Sequence, residues 1–180
     1  SSDTSTAVTK GPLTQTKGWL GATGNTSYGY FAGGYPAKST IDRVDYSNDT
    51  ATAVAKGPLS VGKNDAEGTG NSSYGYFGGG GPSPYKSSID RVDYSNDTAT
   101  AVAKGPLSVA RSTMGATGNS SYGWFGGGST PGPSVFSTVD RLDYSSDTTT
   151  AAVKGSLNQS KDGLGAASSR ANAIPSVDQS

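Results

Sequence analysis

Period-two patterning of hydrophobic and small or polar positions marks one run in each third of this chain. Tyr28-Gly29-Tyr30-Phe31, Tyr74-Gly75-Tyr76-Phe77 and Tyr122-Gly123-Trp124-Phe125 each set two rings on one side of an extended segment with a glycine opposite. A second kind of run follows each of them: Ile41 to Tyr46, Ile89 to Tyr94 and Val139 to Tyr144. In the first of these, Ile41, Arg43 and Asp45 share one face and Asp42, Val44 and Tyr46 the other, so neither face is cleanly apolar. Thr/Ala/Val runs (Thr50 to Ala55 and its copies) are only mildly hydrophobic, as suits an outer, partly exposed strand. Short small-residue runs, Gly18 to Thr23, Asp65 to Thr69, Thr113 to Thr117 and Gly163 to Ala167, suit a place where backbones approach closely. Gly-Asn joins the first run to the second, and Ser-Asn-Asp-Thr joins the third to the fourth. No window carries a helical period.

These runs form one unit that recurs. Asp3, Asp49, Asp97 and Asp147 mark its register at intervals of 46, 48 and 50 residues, a period that signals stacked or radially arranged supersecondary units. The expected organisation is an outer strand of a partial repeat at 1–13, repeats at 14–59, 60–107 and 108–157, and a partial repeat with a tail at 158–180. Four antiparallel strands per unit predict an all-β protein, with each unit a blade of a β-propeller or propeller segment. Three complete units are too few for a ring. Closure is therefore expected from neighbouring copies or from further repeats of a longer parent, of which a chain beginning inside a repeat would be a piece.

Composition changes this picture in two respects. Leu, Ile, Val and Phe make up only 25 of 180 residues, but the formal net charge is zero and ten Tyr supply burial, so an ordered protein is expected. The chain has no cysteine and no histidine, which excludes disulfides, thiolate metal sites, cysteine nucleophiles and any triad needing imidazole. Balanced charge gives no footprint for a phosphate backbone, so nucleic acid is not expected as a partner. No apolar run approaches the roughly 20 residues of a spanning helix, and membrane insertion is not expected.

Length variation is confined to one loop. Tyr28 to Asp42, Tyr74 to Asp90 and Tyr122 to Asp140 span 14, 16 and 18 residues, whereas the other intervals are constant. Sequence varies in a second segment, after Gly-Pro-Leu: Thr14 to Trp19, Ser60 to Asp65, Ser108 to Thr113, and Asn158 to Gly163 after the related Gly-Ser-Leu. With antiparallel strands both segments emerge on one side of the molecule, opposite the invariant turns. That side is either a recognition face or a set of solvated loops that tolerate drift. If it is a recognition face, the candidate ligand-binding residues are Trp19, Tyr35, Lys38, Tyr85, Lys86, Arg111 and Phe136, aromatics beside cations that would stack on sugar rings or anchor a protein.

The aromatic strand ending in Gly33-Gly34, the variable loop and then Tyr46, Tyr94 or Tyr144 resemble the kelch-type propeller repeat. Ala53, Ala101 and Ala151 stand where that family carries Trp. The string YFGGG…SSIDRVDYSNDTATA (Tyr76 to Ala101), with its copies, is similar to tandem repeats of tail-fibre and virion proteins of marine cyanobacterial phages, over nearly the whole chain. That resemblance implies a structural or host-contact role in a virion or extracellular setting.

Catalysis demands a unique constellation, whereas Asp42/Asp45, Asp90/Asp93 and Asp140/Asp143 recur identically beside Arg43, Arg91 and Arg141. They are expected to form a structural Asp-Arg and turn network, with Asp49, Asp97 and Asp147 capping local amides. The glycine runs lack the following helix and Gly-Lys-Ser/Thr of a phosphate cradle. The expectation is a module with no enzymatic activity and no cofactor. It would assemble with other copies of itself or further repeats, or alternatively bind a host glycan or surface protein through its variable face.

Overall fold

Tyr, Phe, Ile and Val at alternate positions favour extended backbone, and in the computed structural model each repeat folds into one antiparallel sheet. The structure describes residues 6–167. The first sheet contains β1 (Gly21–Gly24), β2 (Tyr28–Ala32), β3 (Ile41–Asp45) and β4 (Val54–Lys56). The second contains β5 (Glu67–Gly70), β6 (Tyr74–Gly78), β7 (Ile89–Asp93) and β8 (Val102–Lys104). The third contains β9 (Gly115–Gly118), β10 (Tyr122–Gly126), β11 (Thr138–Asp143) and β12 (Ala152–Ser156). Strand order within each sheet follows the chain. Among the described residues the protein is therefore all-β, three four-stranded antiparallel sheets, and the sheets do not close into a ring.

Two boundaries differ from the sequence reading. The fourth strand begins at Val54 and not Thr50, because a 3-10 turn at Tyr46–Asn48 and the turn after it consume the polar residues. The Asp45 carboxylate caps that turn by accepting from the Ser47 amide at 2.9 Å, and Asp93 and Asp143 do the same for Ser95 and Ser145. The first strand begins at Gly21, three residues after Gly18. Gly163 to Ala167 is not a strand, although the Gly163 amide donates to the Thr113 carbonyl at 2.9 Å, as the Asp65 amide does to the Trp19 carbonyl two repeats earlier.

The sheets stack face against face, which explains the mixed faces of the third run. Arg43 and Ile41 look toward the second sheet, and Val92 of the second sheet looks back toward the first. Both faces of the middle sheet are interfaces, so each carries apolar and charged residues together. The first core joins Tyr30, Ala32 and Ile41 to Phe77, Val92 and Ala101, with Leu59 from the connection between the sheets. The second joins Tyr76 and Ile89 to Phe125, Leu142, Met114 and Ala116, with Leu107 in the place of Leu59.

Close backbone approach accounts for the small first strands. A Cβ at Gly21 would lie 2.5 Å from the Ala66 carbonyl oxygen, and one at Gly68 would collide with the Ala22 carbonyl. At the other edge Val54, Val102 and Val153 are more than half exposed, in keeping with an outer strand. A Cβ at Gly78 would stand 2.8 Å from the Phe125 ring, but at the equivalent Gly126 nothing lies nearer than 3.6 Å. Gly78→Ala is therefore expected to lower stability by about 1–3 kcal/mol through overpacking, and Gly126→Ala by less than about 0.5 kcal/mol, as read from urea unfolding midpoints. Equal losses would show that Phe125 does not fill the interface as described.

Candidate functional site

Two sites arise from the stacking: the junctions between sheets, and the side of the molecule where the variable loops meet. At the first junction Asp97 accepts from the Tyr30 hydroxyl at 2.9 Å and from Arg43 at 2.8 Å, and pairs with Lys56 at 3.1 Å. At the second, Asp147 does the same with Tyr76 at 3.0 Å, Arg91 at 2.8 Å and Lys104 at 3.2 Å. These aspartates do not simply cap local amides, as the sequence suggested; their carboxylates bridge adjacent sheets. Burial works to raise the Asp97 pKa, but hydrogen bonds from Lys56 and Tyr30 with the Arg43 charge outweigh it and leave the pKa below the usual range. Tyr30 stacks on Tyr94 at 4.7 Å and Tyr76 on Tyr144 at 4.8 Å, and Arg43 and Arg91 lie over Tyr28 and Tyr74 at 4.1 and 4.4 Å. Burial pushes the Tyr144 hydroxyl up to about 12.

A second set of ion pairs lies wholly inside. Lys17 pairs with Asp42 at 3.1 Å, Lys63 with Asp90 at 2.8 Å and Arg111 with Asp140 at 2.9 Å, with both side chains of every pair inaccessible to solvent. Burial pulls the Lys63 pKa down, against the opposing charge of Asp90. The partner of the buried aspartate is thus a cation from the segment before the first strand, and not the adjacent arginine. Arg111 also donates to the carbonyls of Gly127 at 2.7 Å and Phe125 at 3.1 Å. It is consequently withdrawn from the face on which it was expected: a guanidinium with buried partners on three sides is not available to an external ligand.

The variable segments do converge. Backbone bridges join Gly18 to Tyr35, Asn64 to Gly81 and Ser112 to Ser129, so in each repeat the segment before the first strand meets the loop after the second. The Gly-Gly pairs make this possible: Gly79 and Gly80 adopt φ of +68° and +103°, and their amides reach the Ser88 and Arg111 carbonyls. On this side Trp19 and Tyr35 are 62% and 59% exposed, with ring centroids 5.0 Å apart. Lys38, Tyr85, Lys86 and Phe136 are half-buried. The Lys38 backbone is bridged to Lys63, and the Lys86 ammonium donates to the Pro84 carbonyl at 2.6 Å. The structure thus brings Trp19 and Tyr35 together through their rings, and Lys86 and Arg111 through the Arg111 amide, which donates to the Lys86 carbonyl at 3.3 Å.

The sequence reading missed the buried pairs. A signal was present, since a basic residue (Lys17, Lys63, Arg111, Lys161) stands seven positions after each repeat lysine (Lys10, Lys56, Lys104, Lys154), although residues 6–13 do not form the outer strand expected there. No family model matches the chain, and a comparison with curated proteins finds no relative.

Two carboxylates of β5 and its approach carry a pH dependence. Burial raises the Asp65 pKa, and burial with the nearby Asp65 charge raises Glu67 to about 7. The folded state thus favours neutral Glu67, so its contribution is fully present below about pH 4.5 and is lost as pH rises through 7. Glu67→Gln is expected to match the wild type near pH 4.5 and to exceed it by on the order of 1–3 kcal/mol at pH 8, measured by thermal or urea unfolding at both pH values. A stability gap independent of pH would refute the assignment.

Proposed function

We propose that this chain is a non-catalytic structural and interaction module, a segment of a kelch-like β-propeller whose end sheets and outer edges join it to further copies or repeats. The single observation that supports this most is the repetition of one interface: the same Tyr-Arg-Lys-Asp junction and Phe-centred core occur at both internal contacts. A unit built to be covered on both faces has uncovered faces at the ends of any finite array. The carboxylates that might suggest hydrolysis are instead engaged in ion pairs or turns. The resemblance of the repeat string to phage tail-fibre and virion repeats supports, by analogy, a virion or extracellular setting.

A second reading is favoured by the exposed Trp19–Tyr35 pair, an aromatic surface of the kind that stacks on sugar rings or anchors a protein partner. Host glycan or surface-protein binding through the variable face is therefore the alternative role.

Sedimentation over a wide concentration range separates the readings. Assembly predicts species heavier than the 18.0 kDa chain, present also when Trp19 and Tyr35 are alanine. A strict monomer that gives glycan-array signals, abolished by those two substitutions, favours recognition instead.

A further inference from the structure

The end of the third sheet repeats the internal interface with one element missing. At the second interface a Cβ on Gly79 would meet the Arg111 carbonyl, Met114 and Leu107; on the equivalent Gly127 it would meet the Lys161 carbonyl, Leu164 and Leu157, at 2.5, 2.8 and 3.3 Å. Residues 157–166 therefore already lie where the first strand of a fourth unit begins, and the Gly128 amide donates to Lys161 as Gly80 does to Arg111. What is missing is the aromatic ring. Phe125 fills the space over Gly78, but the space over Gly126 is an open, mainly apolar pocket of about 320 Å³, lined by Trp124, Gly126, Val139, Leu157, Leu164 and Ala166.

Charge at this end points the same way. Arg43 and Lys56 share Asp97, Arg91 and Lys104 share Asp147, and Lys63 and Arg111 hold Asp90 and Asp140. Their equivalents Arg141, Lys154 and Lys161 form no such ion pair among the described residues, the Arg141 charge acting only on Asp143 of its own strand. An apolar pocket with Lys161 in its wall, on a sheet whose Arg141 lies over the Tyr122 ring and whose Lys154 makes no ion pair among the described residues, calls for an element that brings one ring, one branched aliphatic and two carboxylates.

We infer that this end binds a β-hairpin donated by another polypeptide, with the chemistry of the second and third strands of the repeat: Tyr-x-Tyr/Trp-Phe, a loop, then Asp-Arg-Val/Leu-Asp-Tyr-Ser-x-Asp. Phe enters the pocket over Gly126, the first Asp meets Lys161, and the last Asp meets Arg141 and Lys154. The strand adds to the edge formed by residues 163–167. Continuity with the two internal interfaces carries the assignment. An intact second copy fits less well. Its first sheet already has Asp42 held by Lys17, and its own residues 11–13 occupy Asp49 and Ala53 through the Gly11 and Pro12 backbone. Residues 168–180 contain neither strand motif.

This rests on the assembly reading and is tested apart from it. The probe is a synthetic peptide with the sequence of residues 73–98, titrated calorimetrically into the whole chain. Saturable one-to-one binding is expected, with Phe77→Ala in the peptide weakening it at least tenfold. Gly126→Leu in the protein should abolish binding without loss of fold. Lys161→Met should weaken the wild-type peptide but leave an Asp90→Asn peptide unaffected. To avoid dependence on peptide solubility, a chain in which residues 168–180 are replaced by a copy of residues 70–107 should unfold at higher urea than the parent, an advantage that Phe77→Ala in the appended copy removes. No binding together with no gain from the appended repeat overturns the inference, as does equal affinity for the Phe77→Ala peptide. Dimers that Gly126→Leu dissolves while the peptide fails to bind would make a second copy the occupant, leaving the assembly reading intact. Peptide binding by a strict monomer would keep the inference and remove joining of copies.

Discussion

One carboxylate per junction organises this molecule. Asp97 and Asp147 each accept from a tyrosine and an arginine of the preceding sheet and pair with the lysine that ends its outer strand. Hydrogen bonds to a charged acceptor are worth about 1.5–3 kcal/mol each, more than a neutral contact, and they have directional requirements that a purely apolar face lacks. Such a junction fixes how one sheet sits on the next. The Phe77 and Phe125 cores supply the area, and the aspartates supply the register.

The buried Lys17–Asp42, Lys63–Asp90 and Arg111–Asp140 pairs have a different role. A fully buried ion pair contributes little net stability, because desolvating both charges offsets their attraction, but losing one partner is costly. What these pairs accomplish is local: each ties the segment entering a sheet to that sheet's third strand. The separation of cation and aspartate is 25, 27 and 29 residues in the three repeats, growing in step with the variable loop. The pair thus survives every insertion, because the added residues lie in a loop that bulges outside the bonded frame.

Stability and variability are thereby segregated. Insertions and unique aromatics collect where Gly18 meets Tyr35 and its counterparts meet one another, while the opposite turns are held by Asn25, Asn71 and Asn119 accepting from backbone amides. The same segregation leaves the third sheet with a pocket and three cations that internal sheets have covered. An array of identical interfaces ends in incomplete ones, and their chemistry describes the missing neighbour.

Much of the fold could be read from the sequence. Period-two patterning around Tyr28-Gly29-Tyr30 and the constant spacing of Asp3, Asp49, Asp97 and Asp147 fixed four antiparallel strands per unit, because strand alternation and turn chemistry are local. They also located the variable loops on one side. Only the tertiary structure decided where charge goes. Arg111 and Trp19 both lie in variable segments, yet one is wholly buried and the other mostly exposed. Whether a cation turns inward depends on a carboxylate a whole sheet-width away in the chain, and on a glycine pair that lets the backbone pass. Neither condition is visible in the neighbouring residues, because burial is settled by packing between sheets and not by the residue's own polarity.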